Sequence, residues 1–243
     1  MPDASPDVSA RDRLIVALDV PTVGEARALV ARLGASVTFY KIGLELVMAG
    51  GLALARELVD AGARVFLDMK LLDIENTVER AVRAVAATGA TFLTVHAHDA
   101  KTLRAAVAGK AGTGLGILGV TVLTNLDASD IRAQGIDATP AELVARRARL
   151  ARAAGCDGVV ASGQEAAAVR SIVGPGLAIV TPGVRLPGGP AGDQARVATP
   201  QTAIAAGADY LVVGRPINSA SDPAQAAAAF VAAIAEALHG QNR

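Results

Sequence analysis

Asp68, Lys70 and Asp73 bring an acid, a base and a second acid together in one short stretch. Carboxylates and ammonium groups held that closely couple strongly once water is thinned out. Coupled groups have the perturbed ionisation that acid–base chemistry needs. An apolar run with strand propensity, Val65-Phe66-Leu67, precedes them, and Gly62 breaks the chain before it. On an extended chain positions two apart share a face, so Asp68 and Lys70 are expected to point the same way. Asp73 follows across a short turn, where a helical pattern begins. The three charges by themselves also fit a surface loop with one Asp–Lys pair and a helix cap. Their surroundings decide between the two readings.

Apolar, strand-like runs alternate with Ala-rich helical patterns from one end of the chain to the other. Strands are expected at 14–19, 36–41, 64–69, 91–96, 115–122, 157–161, 177–181 and 209–213. Helical patterns cover 22–33, 45–61, 74–88, 100–109, 140–154, 163–172, 199–206 and 222–238. Gly34, Gly62, Gly89, Gly155 and Gly207 each sit just past a helix, the usual stop position. Eight strand–helix units imply a parallel sheet, and eight strands also close a (β/α)8 TIM barrel. With 243 residues and no interior linker, the chain reads as one barrel domain, 1–243, with 1–12 as a flexible N-terminal extension.

Barrels of this kind do their chemistry at the C-terminal ends of the strands. Asp19 ends the first expected strand, Lys41 the second, and Asp68 and Lys70 the third. Only four lysines stand against nineteen arginines, yet two of the four occupy these strand ends. Lysine supplies a compact, titratable ammonium where arginine would not. Thr124 follows the fifth strand, a position that is weak evidence alone, and 125–139 reads as a loop. His96 and His98 end the fourth strand two apart, but no third ligand follows at a suitable spacing, so no metal site is read there. Cys156 lies beside apolar residues as a small core filler.

The seventh strand runs into Thr181-Pro182-Gly183-Val184-Arg185 and then a Gly- and Pro-dense stretch holding Asp193, Gln194 and Arg196. Loops this long in a compact domain are often functional. The eighth strand runs into Gly214-Arg215. Glycine lets backbone N–H groups approach a phosphate, and the guanidinium fork matches its oxygens. The loops after strands seven and eight are where such barrels frequently bind phosphate.

Composition removes several function classes. Basic and acidic residues number 23 each, so no nucleic-acid or membrane field is implied. Aromatics at 2% disfavour base stacking, and no apolar segment has membrane-spanning length. A single cysteine rules out an intrachain disulfide framework, and no signal-peptide pattern is visible. A soluble, cytoplasmic protein is expected.

The segment Asp68-x-Lys70-x-x-Asp73-Ile74-x-Asn76-Thr77 resembles the signature of the orotidine 5′-phosphate decarboxylase family, and Pro-Gly-Val-Arg, Asp-Gln-x-Arg and Gly-Arg extend the resemblance over 14–217. Leu72 and Glu75 depart from it, standing where His and Pro are frequent. The resemblance implies decarboxylation of orotidine 5′-phosphate to uridine 5′-phosphate without metal or organic cofactor. It makes Lys70 the proton donor, puts Asp68 near the leaving carboxylate, and gives Asp19 and Lys41 the ribose hydroxyls and the rest of the charge network. Thr124, Ile74 and Pro182 fall among the substrate contacts, and Arg185, Gln194, Gly214 and Arg215 at the phosphate. It also implies a homodimer in which Asp73 and Thr77 serve the neighbouring subunit's site. Two rivals remain. One is a magnesium-using sugar-phosphate decarboxylase or aldolase that shares Asp-x-Lys-x-x-Asp, carries Glu where Lys41 stands and lacks Ile-x-Asn-Thr. The other is a non-catalytic nucleotide-phosphate-binding barrel.

Overall fold

Runs of β-branched and aromatic residues form the eight strands of a computed structural model that describes residues 8–188 and 198–241. They are β1 (Leu14–Ala17), β2 (Phe39–Gly43), β3 (Arg64–Leu71), β4 (Phe92–His96), β5 (Gly116–Val120), β6 (Gly158–Val160), β7 (Ala178–Thr181) and β8 (Tyr210–Val213). Each pairs in parallel with the next, and β8 pairs back to β1, which closes a (β/α)8 barrel in sequence order. Closure leaves no strand edge to solvent.

Successive strand residues alternate between two separate apolar clusters, as a period of two requires. Leu14, Val16, Tyr40, Ile42, Val65, Leu67, Leu93 and Val95 face outward and pack with the surrounding helices. Ile15, Ala17, Phe39, Phe66, Phe92, Leu118, Val180, Tyr210 and Val212 form the barrel interior. Its lower layer is aromatic: the Phe92 ring lies 5.7 Å from Phe39, 6.3 Å from Phe66 and 5.4 Å from Tyr210. The Arg64 guanidinium covers the Phe39 ring from below at 4.4 Å.

The inward columns change character as they rise. Two residues above Ala17 is Asp19, above Phe39 is Lys41, above Phe66 are Asp68 and Lys70, and above Phe92 are Thr94 and His96. The alternation that fills the floor with hydrocarbon therefore delivers the polar side chains to one mouth.

Four local features differ from expectation. The helix expected at 45–61 is broken into Leu44–Leu46, a π turn Val47–Gly51 and Leu52–Asp60. Gly50 has φ 100, and a Cβ on Gly51 would lie 2.6 Å from the Leu46 carbonyl oxygen, so only glycine fits this kink. The stretch 125–139 contains a helix, Ala128–Ala133, because Asp127 and Asp130 form a reciprocal capping box. The end of the expected extension, 1–12, is not free: a helical turn Ala10–Arg13 capped by Ser9 packs on the C-terminal helix Pro223–Gln241, and residues 1–7 lie outside the described residues. A short helix, Arg215–Asn218, follows β8, and Asn218 donates to the Ala17 carbonyl at 2.8 Å, tying it to β1.

The aromatic floor gives a stability prediction. Phe92→Ala removes the ring that touches three others and should cost about 3–5 kcal/mol, the range for emptying an aromatic core site. Urea unfolding checks this, and a loss under about 1 kcal/mol would show that the layer is not tightly packed.

Candidate functional site

β3 carries the centre of the site and is irregular where the charges fall. Leu67 pairs with Leu93 and Leu71 with Val95, so Asp68, Met69 and Lys70 together oppose the single residue Thr94. Lys70 takes φ 49, the one non-glycine in the left-handed region among the described residues. A lysine held there stores strain, a feature that clusters at functional sites. The expectation that Asp68 and Lys70 share a face holds in outcome, since Lys70 Nζ lies 2.8 Å from Asp68 Oδ2. It is a bulge, not a flat strand, that brings them together.

The neighbouring strand ends extend the pair into a chain of alternating charge. Lys41 Nζ lies 2.8 Å from Asp19 Oδ1 and 3.8 Å from Asp68 Oδ2. Asp68 thus sits between two ammonium groups, and Lys41 between two carboxylates. Lys41 is buried, the Asp68 side chain is only 15% exposed, and Asp19 reaches toward solvent. Burial pushes the Asp68 carboxyl up. The Lys41 and Lys70 charges, with hydrogen bonds from Lys70 and Thr94, outweigh that and hold it below the usual carboxylate range. A side chain on Gly43 would crowd this network, since a Cβ there would stand 3.1 Å from Lys41 Nζ and 3.3 Å from Asp19 Oδ1.

These charges line one side of a cleft of ≈ 160 Å³. Phe66, Val120, Val160 and Val212 supply apolar surface, and Leu123, Thr124 and Pro182 lie along its wall. The site is therefore an apolar cleft with a carboxylate and two ammonium groups on one flank, able to hold an apolar group beside developing negative charge. Of the phosphate candidates, Arg185 is buried, with Nη1 donating to the Val184 carbonyl at 2.9 Å and its N–H donating to Ala198 O across the loop base. Gly214 stands next to Asp19, and Arg215 is exposed at the start of its short helix. Gln194, with Asp193 and Arg196, lies outside the described residues.

Asp73, Ile74 and Thr77 are not brought into this cleft. All three are exposed, and the Asp73 carboxylate accepts from the Ile74 N–H at 2.7 Å. The helix Glu75–Ala86 takes its N-cap from Ile74, with no side-chain cap bond.

Thr94 and Gly43 are the site residues that sequence reasoning missed. Their signal was position, two above Phe92 and Lys41 in the inward columns. Arg147 was missed as well: it is buried behind the site, with Nη1 donating to the Thr121 carbonyl at 2.6 Å. His96 and His98 stack at 4.8 Å, and among the described residues no third ligand joins them. Cys156 is buried, and its thiol is pushed up to about 12, first by burial, which keeps it inert.

His96 yields a prediction. Burial, His98, Arg147 and Lys70 all disfavour its cation, against Asp68, and push it down to about 4 from 6.5. The unfolded chain then binds the extra proton between those values. His96 thus contributes stability fully above about pH 6.5, and the contribution is lost as pH falls toward 4. An NMR titration of the imidazole signals should show His96 titrating near 4. A midpoint at 6.5 would place it in water.

Comparison with known proteins points to one family. A family profile described as "Orotidine 5'-phosphate decarboxylase / HUMPS family" matches residues 12–230. An orotidine 5′-phosphate decarboxylase of Afipia carboxidovorans is 59% identical over 227 residues, 93% of this chain and 96% of its own. One from Rhodopseudomonas palustris is 56% identical over 234 residues, 96% of this chain and 99% of its own. The crystal structure of orotidine 5′-phosphate decarboxylase from Lactobacillus acidophilus superposes with a TM-score of 0.81 at 35% identity, covering 91% of this chain and 98% of that one.

Proposed function

The chain belongs to the orotidine 5′-phosphate decarboxylase / HUMPS family, and from that premise we propose how its site carries out the family reaction. It converts orotidine 5′-phosphate to uridine 5′-phosphate and carbon dioxide, the step that completes de novo synthesis of the pyrimidine nucleotide. The observation that carries the reading is the ionised Asp68 carboxylate held between Lys41 and Lys70 on the flank of an apolar cleft.

The chemistry sets the demand. When the bond from C6 to the carboxylate breaks, its electron pair stays on C6, and no ring position delocalises it well. The protein must therefore stabilise a localised charge electrostatically and supply a proton at once. Lys70 Nζ does both: its positive charge faces the developing carbanion, and one of its protons transfers to C6. Asp68 lies beside the departing carboxylate. It holds Lys70 in place, and repulsion between the two carboxylates eases as carbon dioxide leaves. Lys41 and Asp19 hold the ribose hydroxyls and fix the register of the charge chain. Thr124 and Pro182 lie along the base, and Ile74, exposed outside this subunit's cleft, would add its apolar contact only across a dimer interface. Arg185, Gln194, Gly214 and Arg215 grip the phosphate. That grip lies far from C6, so its binding energy serves to position the ring and close the site.

The magnesium-using sibling reading fits less well. Such a site places a carboxylate where Lys41 stands, and the Lys41 ammonium, 3.8 Å from Asp68, would repel a divalent cation. No metal or organic cofactor has a part in the proposed step. A non-catalytic barrel would have no use for a strained Lys70 paired to a buried carboxylate. The lone buried cysteine fits a reducing compartment, and we place the enzyme in the cytoplasm.

The working unit proposed is a homodimer. Every exposed large hydrophobic residue among those described falls in two segments, Leu44, Met48 and Leu52 in one and Leu72 and Ile74 in the other. The second segment brackets Asp73 and leads to Thr77. A partner covering this surface would bury the apolar side chains and carry Asp73 and Thr77 into its own neighbour's cleft.

Subunit mixing tests the function and the shared site together. Lys70→Ala and Asp73→Ala should each lower orotidine 5′-phosphate turnover by several orders of magnitude as homodimers, the scale of losing a central group. In a mixed dimer one site regains both side chains, and the other lacks both. Random exchange makes about half the dimers mixed, so roughly a quarter of wild-type activity should return. No recovery despite verified exchange would show that each subunit completes its own site.

A further inference from the structure

The three β3 residues Asp68, Met69 and Lys70 face one β4 residue, so whatever that residue offers decides how the bulge is held. It is Thr94, which is fully buried. Its hydroxyl accepts from the Lys70 backbone N–H at 2.9 Å and donates to Asp68 Oδ1 at 2.9 Å. The other Asp68 oxygen, Oδ2, takes the Lys70 ammonium. One hydroxyl thus bonds the strained backbone of the lysine and the carboxylate that orients the lysine's side chain.

Each bond solves a separate problem. In the bulge the Lys70 N–H falls out of the regular ladder between Leu67 and Leu71, and the hydroxyl gives it an acceptor. That helps hold Lys70 at φ 49, where a residue with a Cβ does not settle unaided. The carboxylate, pinned on Oδ1 by Thr94, cannot rotate freely, so Oδ2 stays aimed at Lys70 Nζ. A hydroxyl can accept and donate at the same time, which an aliphatic side chain of the same shape cannot.

We propose that Thr94 is a positioning residue for the decarboxylation: its hydroxyl sets the placement of both Asp68 and Lys70 and so the chemical step, without touching substrate. This rests on the reading of the site as an orotidine 5′-phosphate decarboxylase and adds to it a residue outside the substrate contacts assigned above. Misplacing a reacting group by about 1 Å costs on the order of 100-fold, so the loss should fall on kcat.

The test compares Thr94→Val, which keeps the branched shape and removes the hydroxyl, with Thr94→Ser, which keeps the hydroxyl. Orotidine 5′-phosphate turnover is measured well below the melting temperature of each variant, with folding checked by circular dichroism. The valine variant should lose roughly 10- to 100-fold in kcat with KM within about threefold of wild type, and the serine variant should recover most of it. Binding of uridine 5′-phosphate should be unchanged in both, because the ribose and phosphate contacts are intact. A valine variant with wild-type kcat, a loss confined to KM, or equal losses in valine and serine would overturn the proposal. If the valine variant does not fold, Thr94→Cys replaces it: the same kcat loss with normal uridine 5′-phosphate binding supports the role, and wild-type kcat overturns it. An inactive wild type would instead overturn the reading of the site on which the proposal rests.

Discussion

A carboxylate kept ionised with little water around it is the constraint on which this structure turns. Removing a carboxylate from water costs several kcal/mol even after the protein relaxes, and only close cations and well-formed hydrogen bonds offset the cost. Asp68 has both, with Lys70 at 2.8 Å and Lys41 at 3.8 Å, and Thr94 donates to its second oxygen. The same arrangement commits the two lysines, which cannot swing toward solvent without leaving the carboxylate unpaired. Their ammonium groups therefore stand fixed before substrate arrives. This is preorganisation in a physical sense, since the cost of assembling the charges is met by folding.

Rigid elements carry all four members of the charge chain. Asp19, Lys41, Asp68 and Lys70 lie on or directly after β1, β2 and β3, above an aromatic layer in which Phe92 touches Phe39, Phe66 and Tyr210. Sites built on strands are held more closely than sites on loops. The phosphate candidates are placed differently, on the segments after β7 and β8. That division suits a reaction in which the reacting centre stays fixed while a remote group drives closure.

Much of this was legible in the sequence because a parallel barrel repeats one rule. Apolar runs of strand length alternating with helical patterns gave eight units, and a period of two carried Phe39 to Lys41 and Phe66 to Asp68. What escaped depends on pairing between strands. The bulge at Asp68–Lys70 arises from register against β4, which no run of residues on β3 reveals. Nothing within the β4 run sets Thr94 apart; its part follows from the β3 residues it faces. The break at Val47–Gly51 needed the close approach of Gly51 to Leu46, a contact invisible in the helical periodicity. The helix at Ala128–Ala133 had only a partial signal, Asp127 as a favoured N-cap residue, because Asp130 stands where the capping pattern has Glu or Gln. Asp73 and Thr77 lie exposed on this subunit, so neither one sequence nor one chain displays the cleft they are proposed to complete.

The central claim is that fixed side-chain charges, with Lys70 as cation and acid, carry the decarboxylation unaided. It is tested most directly by following orotidine 5′-phosphate through its absorbance change with purified wild-type protein before and after exhaustive chelation. The account predicts steady conversion to uridine 5′-phosphate at the same rate in both samples, with no gain on adding magnesium. Turnover that disappears with the chelator and returns with magnesium would contradict it.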